Sequence, residues 1–240
     1  MALVRDHQRI KTRQQEWLWL AVLTASATAC FELWPQLDLT VGGWFFDQGI
    51  FQGSLWVWPK LAYHGTPILG ALLIGAALLA VLLKGLGRVL GKAWVSTWRW
   101  RQAVFVLLVA VLGVGLLVHN GLKDNWGRAR PAQVQAFGGS QTYTPPLRAS
   151  DQCDRNCSFV SGHAAGGFAL MAIGMLGSRR KRWRWWAMGM GAGSLIGLAR
   201  MAEGRHFLGD IVFCGLLIWA VCLLLREVWL RLRCWRQQTQ

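Results

Sequence analysis

Residues 103–119 read AVFVLLVAVLGVGLLVH, a stretch without a charged side chain. The hydrocarbon core of a bilayer is roughly 30 Å thick, which about 20 helical residues can cross. Five further apolar runs lie along the 240-residue chain, at residues 17–33, 67–83, 159–176, 185–199 and 211–225. We therefore predict an all-α, polytopic membrane protein with six transmembrane helices. The fourth and fifth are the weakest spans because small and polar residues interrupt them.

The composition favours lipid rather than water as the surroundings of these runs. Hydrophobic residues make up 54% of the chain and charged residues 15%, a combination that is rare in soluble domains. Six buried helices of a soluble protein would leave too little polar chain to cover them. We expect a single membrane-embedded domain over residues 1–240. The stretch Ala27–Cys30 faintly resembles a lipoprotein cleavage site but lacks the usual large apolar residue, so we interpret the first span as an uncleaved anchor.

The net charge of +15 is distributed in a way that indicates membrane topology rather than nucleic-acid binding. Eighteen of the 26 Lys and Arg residues lie in four segments, at residues 1–16, 84–101, 177–186 and 226–240. A six-span arrangement places all four segments on one side of the membrane. Because Lys and Arg mark the cytoplasmic side, we expect both termini in the cytoplasm. The expected partner is membrane lipid, with no nucleic acid.

The opposite side of the membrane also carries basic residues, which is unusual. Seven of the remaining eight Lys and Arg residues crowd into residues 120–158 and 200–210. Cations on the outward face need a reason, and the binding of an anion is the obvious one.

Three short stretches on this outward face carry the candidate chemistry: KDNWGRARP at 123–131, SGH at 161–163 and RMAEGRHFLGD at 200–210. Lys123, Arg130 and Arg200 can surround a phosphate, the arginines through paired N–H donors. Ser161 and Gly162 open a helix, where free N–H groups and the helix dipole favour an anion.

The histidines of these stretches suggest a nucleophile and an acid. His206 and Asp210 are four residues apart and share a helical face, so the carboxylate can hold one imidazole nitrogen and leave the other free to attack. His163 is then available to protonate a leaving oxygen. We interpret His64 and His119 as interfacial residues. Three arginines are interpreted as solvated or secondary, namely Arg128, Arg155 and Arg205.

The loop sequence CDRNC holds two cysteines, Cys153 and Cys157, on the outward side. An oxidising compartment favours a disulfide between them. A zinc pair is the alternative, although no second pair of ligands is nearby in the sequence.

The three stretches resemble the signatures of the type 2 phosphatidic acid phosphatase superfamily, K-x6-R-P, P-S-G-H and S-R-x5-H-x3-D. Their order and spacing match, and the six-span core covers nearly the whole chain. Two positions depart from the pattern: Val160 replaces the usual proline and Ala199 the usual serine. The lost hydroxyl could lower phosphate affinity, but neither change removes a proposed catalytic group.

The resemblance implies a role for each residue. His206 forms a phosphohistidine, Asp210 orients it, and His163 protonates the departing alcohol and then activates water. The phosphoryl oxygens are held by Lys123, Arg130, Arg200 and the N–H groups near Ser161 and Gly162. No metal and no cofactor is implied.

The flanking residues resemble those of bacterial enzymes that act on lipid A phosphates at the periplasmic face of the inner membrane. Two alternatives within the family remain open: a phosphatase of undecaprenyl diphosphate or phosphatidylglycerol phosphate, and a lipid phosphotransferase. A non-catalytic lipid-binding or transport protein is the alternative from another class, and the two histidines argue against it.

Overall fold

A computed structural model describes residues 2–238 of the chain. The first half begins with a long helix that is followed, after a bend of 83°, by a short one. A small antiparallel hairpin follows, in which Phe46 faces Phe51 and Asp47 faces Ile50. The elements are α1 (Ala2–Leu33), α2 (Leu37–Gly43), β1 (Phe46–Asp47), β2 (Ile50–Phe51), a 3₁₀ turn (Gln52–Ser54) and α3 (Val57–Val89).

The second half holds the remaining helices. Ser96 starts α4 by accepting a hydrogen bond from the Arg99 N–H at 3.2 Å. Without a break, α4 continues in wider, π-helical turns that end at Lys123. The elements are α4 (Thr97–Leu108), the π-helical segment (Val109–Lys123), two 3₁₀ turns (Pro131–Gln133 and Gln135–Phe137), α5 (Gly162–Phe168), a 3₁₀ turn (Ala169–Met171), α6 (Ala172–Met175), α7 (Arg179–Ala202) and α8 (Leu208–Gln238).

The predicted all-α class is confirmed, apart from the small hairpin. Within residues 2–238, three helical stretches are long and apolar enough to cross a membrane: Val57–Val89, Thr97–Lys123 and Leu208–Trp235. The bent pair of α1 and α2 supplies a fourth if it is counted as one span. Gly162–Met175 is a shorter apolar helix. The number of six spans stays a prediction, as does the single domain.

The helices differ in how deeply they are buried. In the most apolar stretch of 18 consecutive residues, 61% of the residues are buried in α8 and 6% in α3. Helix α8 is therefore central and α3 peripheral. Phe168 of α5 packs where α7 and α8 each contribute a glycine, Gly193 and Gly215. A Cβ on Gly193 would lie 2.3 Å from the Phe168 ring. The missing side chain therefore allows α5 and α7 to approach closely.

One end of the bundle gathers basic residues from several helices. Glu16 of α1 accepts a hydrogen bond from Arg182 of α7 at 2.9 Å and forms an ion pair with Arg226 of α8. Lys181 lies over the ring of Trp98, 5.6 Å from its centre. Segments that the sequence analysis assigned to one side of the membrane thus lie close together.

The opposite end carries a second, smaller apolar cluster beneath the loops. Phe51, Phe137 and Phe207 are buried in it together with Val134. Gly127 lies beside this cluster with a φ of +70°, and a Cβ there would lie 1.5 Å from the Ser150 carbonyl oxygen. Only glycine fits at this position. This close approach joins two distant parts of the loop over residues 124–160, and the Ser150 N–H also donates to the Trp126 carbonyl at 2.9 Å.

Candidate active site

Hydrogen bonds join the three stretches that the sequence analysis selected. The Cys157 N–H donates to the Lys123 carbonyl, and the Ser158 N–H to the Arg128 carbonyl, each at 2.8 Å. The Ala132 N–H donates to the Gly204 carbonyl at 3.0 Å. The end of the π-helical segment, the start of α5 and the start of α8 therefore meet at one end of the bundle.

Two of the predicted phosphate-binding cations contact the same residue. Lys123 Nζ donates to Asn156 Oδ1 and Arg130 Nη2 to the Asn156 carbonyl, each at 2.7 Å. Asn156 itself has a positive φ of 53°. It lies in the loop closed by the disulfide between Cys153 and Cys157, whose Cα atoms are 5.7 Å apart. The disulfide loop thus supplies the partner that positions both cations.

Arg200, the third predicted cation, is buried beside Tyr63 of α3. Its guanidinium lies 4.7 Å from the centre of the Tyr63 ring and forms an ion pair with Glu203. Its Nε–H is buried and has no hydrogen-bond partner among the described residues. A buried, unsatisfied cationic donor is uncommon in proteins. This donor is therefore available to an anion.

His163 contacts the same tyrosine. Its ring stacks on Tyr63 with the ring centres 4.8 Å apart. His163 follows Gly162, the first residue of α5, and Ser161 caps this helix by accepting the Ala164 N–H at 3.4 Å. A Cβ on Gly162 would lie 2.6 Å from the ring of His119, so the helix can begin here only with glycine.

His206 is held by a backbone carbonyl rather than by direct hydrogen bonding to Asp210. Its Nδ1 lies 2.8 Å from the Ser158 carbonyl oxygen and 3.7 Å from Asp210 Oδ2. Since a carbonyl only accepts, Nδ1 carries the proton and the Nε2 lone pair is free. Burial lowers the pKa of His206 to about 4, although Asp210 opposes the shift. His206 is therefore neutral near pH 7.

Asp210 acts mainly on its surroundings. Its oxygens accept from Ser158 Oγ at 2.5 Å, from Arg128 Nη1 at 2.5 Å and from the Phe207 N–H at 2.8 Å. It thus fixes Ser158, whose carbonyl holds His206, and it also binds a free N–H at the start of α8. These contacts fix the residues around His206, and the role of Asp210 in orienting the histidine stays a prediction.

Arg128 is not solvated, so of the two interpretations made from the sequence only a secondary role remains. Its side chain and those of Asp38 and Asp210 are each 0% exposed. Arg128 Nη2 donates to Asp38 at 2.5 Å, and Nε donates to the Thr144 carbonyl at 2.8 Å. Burial on its own lowers the pKa of Arg128, but the two carboxylates outweigh it and leave the pKa raised. Asp38 also accepts the Gly209 N–H at 2.8 Å.

Sequence reasoning missed five residues at this site: Asp38, Tyr63, Arg128, Asn156 and Ser158. For two of them the sequence contained a feature that could have pointed to a functional role. Asp38 is an isolated acid in the apolar surroundings of WPQLDLTV, and Tyr63 is one of only two tyrosines in the chain. The other tyrosine, Tyr143, donates to the Pro35 carbonyl at 2.7 Å beside Asp38. Arg155 and Arg205 are exposed, as expected of solvated residues.

The described part of the chain contains no group of three or more His, Cys, Asp or Glu residues that could hold a metal ion. The groups that the fold brings together are cations, helix N–H donors and two imidazoles. Fold and site together describe a helical membrane protein in which cations, helix N–H donors and two histidines lie at one end of the bundle.

Comparison with known sequences identifies the family. Residues 103–234 match the PAP2 superfamily, and the chain belongs to it. The match covers more than half of the chain and includes all three stretches of the site, whereas Asp38 and Tyr63 lie before it.

The curated relatives are enzymes of lipid A. A lipid A 4′-phosphatase of Francisella tularensis subsp. novicida (strain U112) is 40% identical over 134 residues, 54% of this chain and 60% of the relative. A lipid A 4′-phosphatase of Rhizobium leguminosarum is 33% identical over 120 residues, 49% of this chain and 52% of the relative. A lipid A 4′-phosphatase of Rhizobium etli is 32% identical over 132 residues, which are 54% of this chain and 51% of the relative. The chain thus spans between half and two thirds of these relatives. No solved structure matches it.

Proposed function

We propose that the protein is a lipid phosphatase of the bacterial inner membrane that removes the 4′-phosphate of lipid A at the periplasmic face. The observation that carries this proposal is the state of His206. It is buried and neutral, its Nδ1–H is bonded to the Ser158 carbonyl, and its Nε2 lone pair is free. The names of the relatives supply the substrate.

The first chemical step forms a phosphohistidine. His206 Nε2 attacks phosphorus, the new N–P bond forms, and the P–O bond to the sugar breaks. His163, which the negative charge of the bound phosphate holds as an imidazolium, gives one proton to the departing oxygen and becomes neutral. In the second step, His163 takes a proton from a water molecule that attacks phosphorus. The N–P bond then breaks, inorganic phosphate leaves, and both histidines return to their starting states.

The surrounding cations stabilise the charge of the transferred group. Lys123, Arg130 and Arg200 contribute positive charge, and the buried Nε–H of Arg200 is an unused donor among the described residues. The N–H groups near Ser161 and Gly162, at the start of α5, complete the cradle. Phosphoryl transfer depends mainly on such positioning and charge stabilisation. The scheme uses neither a metal ion nor a cofactor.

The place of the site favours a lipid substrate. It lies at one end of a helical bundle whose exposed side chains on α3 include Leu69 and Leu72, with 67% and 65% exposure. A lipid can keep its acyl chains beside such a surface while its phosphate reaches the cations.

The test is phosphate release by the purified protein in detergent with a chelator present. Lipid A, undecaprenyl diphosphate and phosphatidylglycerol phosphate are offered side by side. We expect release from lipid A, and a loss of more than about 10³-fold in kcat for His206→Ala. Arg148→Gln, on an exposed arginine paired with Glu32, is the matched control and should keep full activity.

Each other outcome identifies an alternative. Release mainly from the other two lipids would retain the mechanism and exclude lipid A as the substrate. Phosphate transfer to an added alcohol would indicate a phosphotransferase. Unchanged turnover in His206→Ala would contradict the mechanism. Lipid binding without any turnover or transfer would indicate a binding or transport protein.

A further inference from the structure

A cavity of about 230 Å³ lies beside the site and has no part in the scheme above. Three pieces of chain form its walls: the turn after Arg130, the disulfide loop with Arg155, and the turn with Arg205. Gln133 and Asn156 add polar groups. Arg130 belongs both to the wall of the cavity and to the proposed phosphate site, so the two adjoin.

The charge of this cavity is not balanced by its own walls. Three guanidinium groups line it, and no carboxylate is among the lining residues in the described part of the chain. The acid nearest to Arg155 in an ion pair is Asp124, at 3.9 Å, and the Arg155 side chain is 85% exposed. Like charges in a concave surface repel one another and concentrate anions from solution.

The backbone that carries the three arginines is held in place by the same contacts that build the candidate active site. Arg155 lies between two cysteines that are bonded to each other. Arg205 immediately precedes His206, and the neighbouring Gly204 carbonyl accepts the Ala132 N–H at 3.0 Å. The Arg130 guanidinium donates to the Asn156 carbonyl at 2.7 Å. The cavity is therefore a feature of the folded loops rather than a chance grouping of surface side chains.

We propose that this cavity binds a second anionic group of the substrate headgroup, a phosphate or a carboxylate distinct from the phosphate that is cleaved. The proposal rests on the proposed function and defines its substrate class further, as a lipid phosphate whose headgroup carries at least two anions. Guanidinium groups pair with phosphate and carboxylate through two parallel hydrogen bonds. Arg155 and Arg205 are the residues that select for this second group.

The experiment compares three forms of lipid A that share the 4′-phosphate. The first form also carries a phosphate at the other end of the disaccharide, and the second has no further anion. The third form carries a carboxylated sugar in place of the first form's second phosphate. Arg155→Gln and Arg205→Gln are tested alone and together. We expect the double variant to lower kcat/KM on the order of tenfold, equivalent to about 1.4 kcal/mol, for a form with a second anion.

The form without a further anion should be unaffected by these changes, and Arg148→Gln should affect none of the three. Whether the first or the third form responds identifies the second anion as a phosphate or a carboxylate. Equal effects on all three forms, or no effect on any, would overturn the proposal.

A binding measurement separates this proposal from the proposed function. His206→Ala protein is titrated with the same three lipids, with and without the two glutamine substitutions. Arginine-dependent binding of a two-anion form supports the cavity even if the wild-type protein releases no phosphate. Binding that ignores both arginines overturns the cavity proposal, whether or not the wild-type protein is a phosphatase.

Discussion

Arg128 connects three parts of the chain through one side chain. It pairs with Asp38 from α2 and Asp210 from α8, each at 2.5 Å, and its guanidinium lies 4.5 Å from the centre of the Phe207 ring. Buried ion pairs add little net stability when complete, but the loss of one partner leaves an uncompensated charge. Here two buried carboxylates are neutralised by one cation, so removal of this cation should strongly destabilise the fold.

Replacement of Arg128 by methionine, which keeps an unbranched apolar stem and removes the guanidinium, should lower the free energy of unfolding by roughly 3–5 kcal/mol. The measurement is denaturant unfolding in detergent. The Asp38→Asn substitution in the same background should recover part of the loss, because one of the unpaired carboxylates is gone.

Arg148→Gln is the matched control, because Arg148 is exposed and pairs with Glu32 at 3.1 Å. Surface pairs of this kind contribute about 0–1 kcal/mol. If Arg128→Met protein unfolds at the same denaturant concentration as this control, the buried contacts of Arg128 with Asp38 and Asp210 do not stabilise the fold.

At the scale of the elements, the position of α5 determines where the start of this helix meets the other candidate site residues. This helix carries Ser161, Gly162 and His163 in its first turn and packs its far end, Phe168, against α7. Gly193 of α7 leaves the space that Phe168 fills. A larger residue there would push α5 outward and shift the residues at its start.

The substitution Gly193→Val tests this packing, with Gly191→Val on the same helix as its control. A Cβ at Gly193 would lie 2.3 Å from Phe168, whereas nothing lies within 4 Å of one at Gly191. We expect Gly193→Val to lose about 1–3 kcal/mol of stability and most of its phosphatase activity. Equal behaviour of the two valine variants in thermal unfolding and turnover would contradict this account.

At the scale of the whole molecule, the two ends of the bundle have different roles. One end joins α1, α7 and α8 through Glu16, Arg182 and Arg226. The other end holds the loops and the site. Between them, α3 exposes large apolar side chains such as Leu82 and Val89, at 69% and 83% exposure, which lipid rather than water would cover. The basic end should therefore face the cytoplasm.

Single cysteines placed at the two ends test this orientation. Ser140→Cys and Arg180→Cys introduce thiols at exposed positions of the loop end and the basic end, respectively. The background replaces the free cysteines Cys30, Cys214, Cys222 and Cys234. An impermeant thiol reagent added to intact cells with permeable outer membranes should label position 140 and leave position 180 unlabelled. The reverse pattern would place the site in the cytoplasm.

The sequence predicted much of this architecture because the relevant signals are local. The length of an apolar run can be compared directly with the thickness of a bilayer. Within each of the three stretches, the residues are so close in the chain that their spacing can be compared with a motif. The joining of these stretches at one end followed from counting spans. The shared contact of Lys123 and Arg130 with Asn156 did not, because nothing in the spacing indicates which loop residue meets them.

The remaining features depend on contacts between distant positions. Arg128 was interpreted as solvated or secondary, and its neighbours in sequence gave no sign of its partner Asp38, which is 90 residues away. The partner of His206 is a backbone carbonyl 48 residues away, and every residue has such a group.

The sequence by itself thus determined the membrane class and the family motifs, because apolar runs and motif spacing are local properties of the chain. Only the tertiary structure decided which group holds His206, which charges neutralise one another, and where uncompensated arginines face a cavity. Those outcomes depend on burial and on distances across the fold, since these set the strength of a hydrogen bond or an ion pair.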